Sequence, residues 1–274
     1  MQLYHYTTIE AFNNIIKRNE LWLSERNHMN DVYDETYIQD LVKKELNPDN
    51  KINFKNSYFD RNFTPDIPQY VFSTTTEKDA AHQWLSYGNA NAICIELDEE
   101  KLVEYFKGYL KSKYPSDEID YPNPYFHFDA FLHSSKVIYE KDDVERKVKQ
   151  FVSNYKNELL KELENLTGSS TSDQYGVAKK DFYQFYSCVK QDKFYAENEY
   201  RFLIYSKKEP ESRIRGNRLV PYMNISIKNE KLPITGIIIS PYNKDKSYEN
   251  TIRLFLNKNG YDNVSVFPSE IYLR

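Results

Sequence analysis

The sequence predicts an α+β fold within one domain of 274 residues. Strand-length runs of β-branched and aromatic residues crowd both ends of the chain, while helical periodicity dominates the middle. The regular strand–helix alternation of a doubly wound sheet is missing, which favours α+β over α/β. The length suffices for one large domain with a sizeable insertion, and residues 98–195 read as a largely helical insertion or cap on a strand core.

Leu3–Thr7 reads as a first strand, and Thr7-Thr8-Ile9-Glu10 as a capping box with Thr7 as the N-cap. Ala11, Phe12, Ile15 and Ile16 give the following helix one apolar face. Leu21–Ser24 is a second strand, Asn27–Asp31 a polar loop, and Tyr37, Leu41 and Val42 mark a helix that stops before Pro48. Gln69–Thr74 is a strand with Thr75 and Thr76 as its exit turn; Asp79 then caps a helix carrying Trp84 and Tyr87 on one side. Ala92–Leu97 reads as a buried strand, with Asp98 capping the helix through Tyr109. Ser135–Glu140 is a strand, Asp142–Leu166 a charged helix ended by Gly168–Ser172, and a Tyr/Phe-rich helix runs on to Val189. Tyr200–Tyr205 is the best strand of the C-terminal half. Leu219–Tyr222 and a central Ile234–Ser240 follow, then a helix over Lys246–Asn257 with Gly260 at its end, and Val264–Phe267 and Ile271–Leu273 close the chain.

A net charge of −4 gives no global basic footprint for duplex nucleic acid. Two cysteines, Cys94 and Cys188, make neither a disulfide framework nor a metal cluster and suit a reducing compartment. The N-terminus lacks a basic stretch followed by an apolar run, and no window has the length of a membrane span. The expectation is a soluble cytoplasmic protein without a membrane partner.

No zinc-type spacing surrounds His127 or His133, and His28 with Asp31 is a weak pair, so no metal site is expected. No Gly-x-Ser-x-Gly elbow and no Gly-rich phosphate loop occurs. What remains is dispersed. His5 lies in the first strand, Ser73 and Thr74 end another, and Glu197-x-Glu199-x-Arg201 opens a third. On a strand, Glu197, Glu199 and Arg201 share one face, either as a solvated edge in which Arg bridges two Glu or as a site.

Leu3–Thr7, Leu21–Ser24, Asn30-Asp31 with Asp34 and Glu35, Phe72-Ser73, Trp84-x-x-Tyr87, Glu197-x-Glu199-x-Arg201 and Ser269-Glu270-Ile271 come in an order that resembles the bacterial domain-of-unknown-function family 2971. That likeness touches nearly the whole chain, least in the helical middle. The strands of His5, Ser73-Thr74 and Glu199 are also similar to the core of ADP-ribosyltransferases. The second resemblance implies a split antiparallel β core with a helical insertion. It also implies NAD as substrate and an ADP-ribosyltransferase or NAD glycohydrolase activity, by analogy that of a toxin or phage-defence effector.

In that reading Glu199 and His5 are catalytic, with Glu199 stabilising an oxocarbenium-like transition state and His5 bonding a ribose hydroxyl. Tyr6, Thr7, Ser73, Thr74, Trp84, Tyr87, Glu197 and Arg201 bind NAD. Aromatic rings sandwich the nicotinamide, and Arg201 holds either the pyrophosphate or Glu197. The rival is a non-catalytic module binding a nucleotide, a nucleic-acid end or a protein on the same fold. RNA 2′-phosphate transfer ranks lower, because only Arg201 and Arg26 offer themselves as basic groups in the cleft.

Overall fold

In the computed structural model, residues 1–29, 33–49, 67–87, 89–114, 130–164, 173–215, 217–243 and 245–272 are described. The strands are β1 (Gln2–Thr8), β2 (Leu21–Glu25), β3 (Gln69–Thr75), β4 (Ala92–Asp98), β5 (Ala130–Lys136), β6 (Glu199–Ser206), β7 (Glu211–Arg215), β8 (Arg218–Ile225), β9 (Ile234–Ile239) and β10 (Ser265–Pro268). The helices are α1 (Ile9–Arg18), α2 (Tyr33–Leu46), α3 (Ala81–Ser86), α4 (Glu99–Lys113), α5 (Lys141–Glu164), α6 (Asp173–Tyr186) and α7 (Lys246–Lys258). All ten strands join one open sheet whose main path runs β10-β9-β4-β1-β3-β2-β8-β7, with β6 and then β5 attached beside β3. Every pairing is antiparallel except β9 with β10.

Strand alternation sorts the side chains into two layers. On one face Leu3, Phe72, Ile95, Phe202 and Ile237 meet the apolar stripes of α1, α4 and α7. The stripe of α4 is Leu102, Tyr105, Phe106, Tyr109 and Leu110, the i, i+3, i+4, i+7, i+8 spacing of a buried helix face. Each fully buried Leu or Phe there contributes about 1.5–3 kcal/mol. The opposite face is covered in two patches. Val71, Leu203 and Tyr205 lie under α2, α5 and α6, and Tyr4, Tyr6 and Cys94 surround Trp84 of α3.

Several expectations shift. The N-cap of α1 is Thr8 and not Thr7, because β1 runs one residue further and Thr8 Oγ1 receives the Ala11 amide at 3.2 Å. Asp79 does not cap α3, whose N-cap is Ala80. Instead Asp79 adopts a left-handed backbone (φ 54°) and accepts from Trp84 Nε1, Ser269 Oγ and the Glu270 amide. The strand expected over Ser135–Glu140 lies earlier, as β5, because it pairs residue for residue with β6.

Residues 98–195 hold the sheet strand β5, and their helices cover both faces. Ile234–Ile239 sits next to the parallel edge strand β10 rather than at the centre, Ile271 lies outside any strand, and β7 was not foreseen. Asn30, Asp31, His127 and residues 168–172 fall outside the described residues. Among the described residues, no helix is long and apolar enough to cross a membrane.

Candidate functional site

A strand has two edges, and β3 has three partners. Strand β6 occupies one edge along all of Gln69–Thr75. The other edge is divided: β1 takes its end, with Tyr4 opposite Thr75, and β2 takes its beginning, with Ser24 opposite Val71 and Glu25 opposite Tyr70. Between them the register leaves Phe72, Ser73 and Thr74 without a strand partner on that edge. The sheet is split there, and the split is the floor of a cleft.

A cavity of about 450 Å³ lies between the β1–α1 corner and β2, β3 and β7. A second lobe of about 130 Å³ opens toward β6. Tyr6, Met29, Ser73, Tyr87 and Arg215 line both, so the two lobes adjoin.

The buried backbone in the split needs partners. His5 supplies one: its Nδ1 donates to the Ser73 carbonyl at 2.9 Å, and its ring lies 4.6 Å from that of Phe72. Burial drives the imidazole pKa down; the Ser73 carbonyl partly opposes this, nearby Arg213 adds to it, and the value falls to about 4. His5 is therefore neutral at pH 7, and with Nδ1 donating, Nε2 is left as an acceptor. The Ser73 hydroxyl is buried without a well-formed hydrogen bond, although it lies near enough to Glu199 to favour the ionised carboxylate. A buried hydroxyl left in this state costs about 1–3 kcal/mol unless something engages it.

On the other side of Ser73 stands a closed charge network. Glu199 receives Arg201 Nε on Oε1 and Nη2 on Oε2, both at 2.9 Å, and Lys190 Nζ on Oε2 at 3.0 Å. Lys190 also donates to Glu197 Oε2 at 2.7 Å, and Arg201 Nη1 to the Ser187 carbonyl at 2.7 Å. The Glu199 amide donates to Tyr139 Oη at 3.0 Å. Burial alone raises the Glu199 pKa, but Arg201 and Lys190 outweigh it and hold the carboxyl at about 2.

Glu197 is not on the strand with Glu199. It ends a 3₁₀ helix (Asp192–Glu197), and Asn198 turns the chain with φ 39°. Lys190, rather than strand alternation, brings the two carboxylates together.

The sequence-derived residues divide accordingly. His5, Tyr6, Thr7 and Ser73 line the larger lobe, and Thr74, Glu197 and Glu199 the smaller one. Thr74 Oγ1 is already engaged, donating to the Tyr200 carbonyl at 2.9 Å. Tyr87, at the end of α3, lines both lobes. Trp84 lines neither: it is 0% exposed and packs edge-on behind Tyr6 at 4.9 Å, so it braces the wall and does not face a ligand. Arg201 is 2% exposed, lines neither lobe and holds Glu199. Arg26 lies over the Tyr186 ring, 4.3 Å from its centroid.

Among the described residues, the cations that line the cleft are Lys190, Arg213 and Arg215, and no sequence motif weighed above contains them. Lys190 carried no signal, sitting just past a helix end. Gly216-Asn217 is a dipeptide of the kind that turns hairpins, and it is the sequence signal that could have pointed to the two arginines.

The family model described as "Protein of unknown function (DUF2971)" matches residues 83–202, from α3 through the helical middle to β6. The match takes in the helical middle together with the Trp84-x-x-Tyr87 and Glu197-x-Glu199-x-Arg201 motifs, and His5, Ser73 and the β7 arginines lie outside the matched span. No curated protein and no solved structure matches the chain.

Proposed function

We propose that the cleft binds NAD and breaks its nicotinamide–ribose bond, as an ADP-ribosyltransferase or an NAD glycohydrolase. The observation that carries this reading is the position of Ser73 on β3 between the other two: His5 of β1 lines the larger cavity with it and bonds its carbonyl, and Glu199 of β6 lines the smaller cavity with it. The bond to C1′ of the ribose breaks with its electron pair leaving on nicotinamide, and the positive charge that develops on the sugar needs a fixed anion nearby. Glu199 is ionised at any physiological pH and is oriented by two cations. The acceptor hydroxyl, or water, then adds at C1′ and releases its proton. His5 Nε2 accepts from a ribose hydroxyl, the underused Ser73 hydroxyl gives the ligand one more bond, and Tyr6 and Tyr87 flank a planar ring.

One observation favours the second reading, a non-catalytic nucleotide-binding module. The charge of Glu199 is already matched by Arg201 and Lys190, which weakens the field that it projects onto a substrate.

Release of nicotinamide from NAD by purified protein separates the two. Ser73→Ala is the cleaner variant, since that hydroxyl holds no well-formed bond, while Glu199→Gln reports on the anion. Turnover that drops at least tenfold in both variants, with the fold intact by circular dichroism, supports cleavage. NAD binding by calorimetry with no turnover, with or without added protein and nucleic-acid acceptors, supports the module. Neither binding nor turnover would sink both.

A further inference from the structure

The hairpin of β7 and β8 places three guanidinium groups on one face. Arg213 and Arg215 are two residues apart on β7, and Arg218 lies directly opposite Arg215 on β8. Like charges opposed across a ladder destabilise a hairpin, and none of the three has a carboxylate ion-pair partner among the described residues.

Arg213 is the inner one. It donates to Ser24 Oγ at 2.7 Å, lies 5.4 Å from the Trp22 centroid and 5.6 Å from that of Tyr222, and its Nε is buried without a hydrogen bond. Burial, then the charge of Arg215, destabilises its charged form. Among the described residues two acidic side chains share the lobe, but Glu20 is taken by Trp22 Nε1, Asn224 Nδ2 and Arg18. The other, Glu10, sits in the first turn of α1 on the facing wall.

We propose that Arg213 and Arg215 form a phosphoanion subsite on the β7 wall of the cleft, taking the phosphates of a nucleotide ligand. A phosphate there would meet the free donor of Arg213, separate two repelling guanidiniums by a shared anion, and gain charge-assisted bonds with planar, pre-oriented forks. His5, beside Arg213, stays neutral and presents an acceptor to the hydroxyls of the attached sugar. The subsite rests on the cleft being the ligand site, not on NAD cleavage. The same chemistry serves the diphosphate of a dinucleotide and the backbone of a single-stranded polynucleotide.

The test is calorimetric titration of the full chain with inorganic pyrophosphate, ADP, adenosine and a 5′-phosphorylated oligonucleotide. Arg215→Ala is the primary variant because this side chain is exposed and its removal spares the core; Arg213→Lys keeps a cation but loses the fork. Pyrophosphate and at least one phosphorylated ligand should bind, with adenosine at least tenfold weaker than ADP and each variant at least tenfold weaker for the phosphorylated ligands. ADP outranking the oligonucleotide assigns the subsite to a diphosphate, and the reverse order to a nucleic-acid backbone. Absence of pyrophosphate binding to the wild type, equal affinity for ADP and adenosine, or unchanged affinity in Arg215→Ala overturns the subsite. Nicotinamide release is read separately: phosphate binding without NAD turnover leaves the subsite standing and removes the cleavage reading.

Discussion

The imidazole of His5 donates to the backbone carbonyl of Ser73 at 2.9 Å, across the gap where β1 and β2 part company on the edge of β3. A side chain does there what a neighbouring strand does elsewhere in the sheet. The bond fixes the tautomer of His5 and ties β1 to β3 in mid-strand, while burial, against the pull of that carbonyl, keeps the ring neutral.

That neutral state gives a pH signature. His5 and His133 both titrate near 4 in the folded chain, in each case chiefly because burial disfavours the cation. Unfolded histidine takes up its proton near 6.5, so between about pH 6.5 and 4 the unfolded chain binds more protons and stability falls as pH drops. Each group is worth up to about 3 kcal/mol across that window. Urea midpoints measured at successive pH values should fall through it, and His5→Gln or His133→Gln should each flatten part of the slope. A slope unchanged in both variants would mean that neither ring is held neutral.

Glu199 acts lower on the pH scale. Its folded pKa lies below the unfolded one, so its contribution is complete at neutral pH and is lost as pH falls from about 4.5 toward 2. Glu199→Gln leaves Lys190 and Arg201 short of negative charge, and a broken buried pair of this kind costs about 3–5 kcal/mol. Adding Lys190→Met should recover part of that loss in a double-mutant cycle by denaturant unfolding. Strict additivity of the two changes would show that the contact carries no coupling.

Asp79 ties three segments together. It receives Trp84 Nε1 at 2.8 Å, Ser269 Oγ at 2.7 Å and the Glu270 amide at 2.6 Å, from a left-handed backbone. Asp79→Ala should cost about 2–4 kcal/mol by combining lost hydrogen bonds with strain at a positive φ. Asp79→Asn, which tolerates that backbone and keeps one acceptor, should cost less. Hydrogen exchange at the Glu270 amide should rise in both, more in the alanine variant. Equal protection in all three proteins would place the anchor of the C-terminal segment elsewhere.

Trp84 is a brace for Tyr6, so its loss should act on stability before function. Trp84→Ala should cost about 3–5 kcal/mol, whereas Trp84→Phe retains most of the packing against Tyr6 and Cys94 and loses only the bond to Asp79. Thermal unfolding of the pair should show the phenylalanine variant much the closer to wild type. Equal losses would make the indole N–H, not the ring volume, the essential feature.

The strands legible in the sequence were those buried on both faces or richly aromatic: β3, β4, β6 and β9 announce themselves by composition. Strand β7 did not, because Glu211-Ser212-Arg213-Ile214-Arg215 has no apolar face, and only its pairing with β8 makes it a strand. The placement of His5 and Glu199 on strands was readable, but what each touches was not. Arg201 was visible two residues from Glu199; Lys190 is separated from it by a 3₁₀ helix that no pattern of period 2 or 3.6 describes. Trp84 and Tyr87 share helical spacing, which says that they lie on one side and not which of them meets solvent.

The divided edge of β3 works as a slot, and one imidazole spans it. The ladder is intact at both ends of the opening, at Thr75 and at Val71, so the width in the middle depends on a side chain rather than on the backbone. A shorter residue at position 5 would bare the Ser73 carbonyl and deepen the opening; a bulkier one without a donor would plug it. The shape of the opening is therefore tied to a residue far in sequence from the carboxylate of β6 and the arginines of β7 on its other walls.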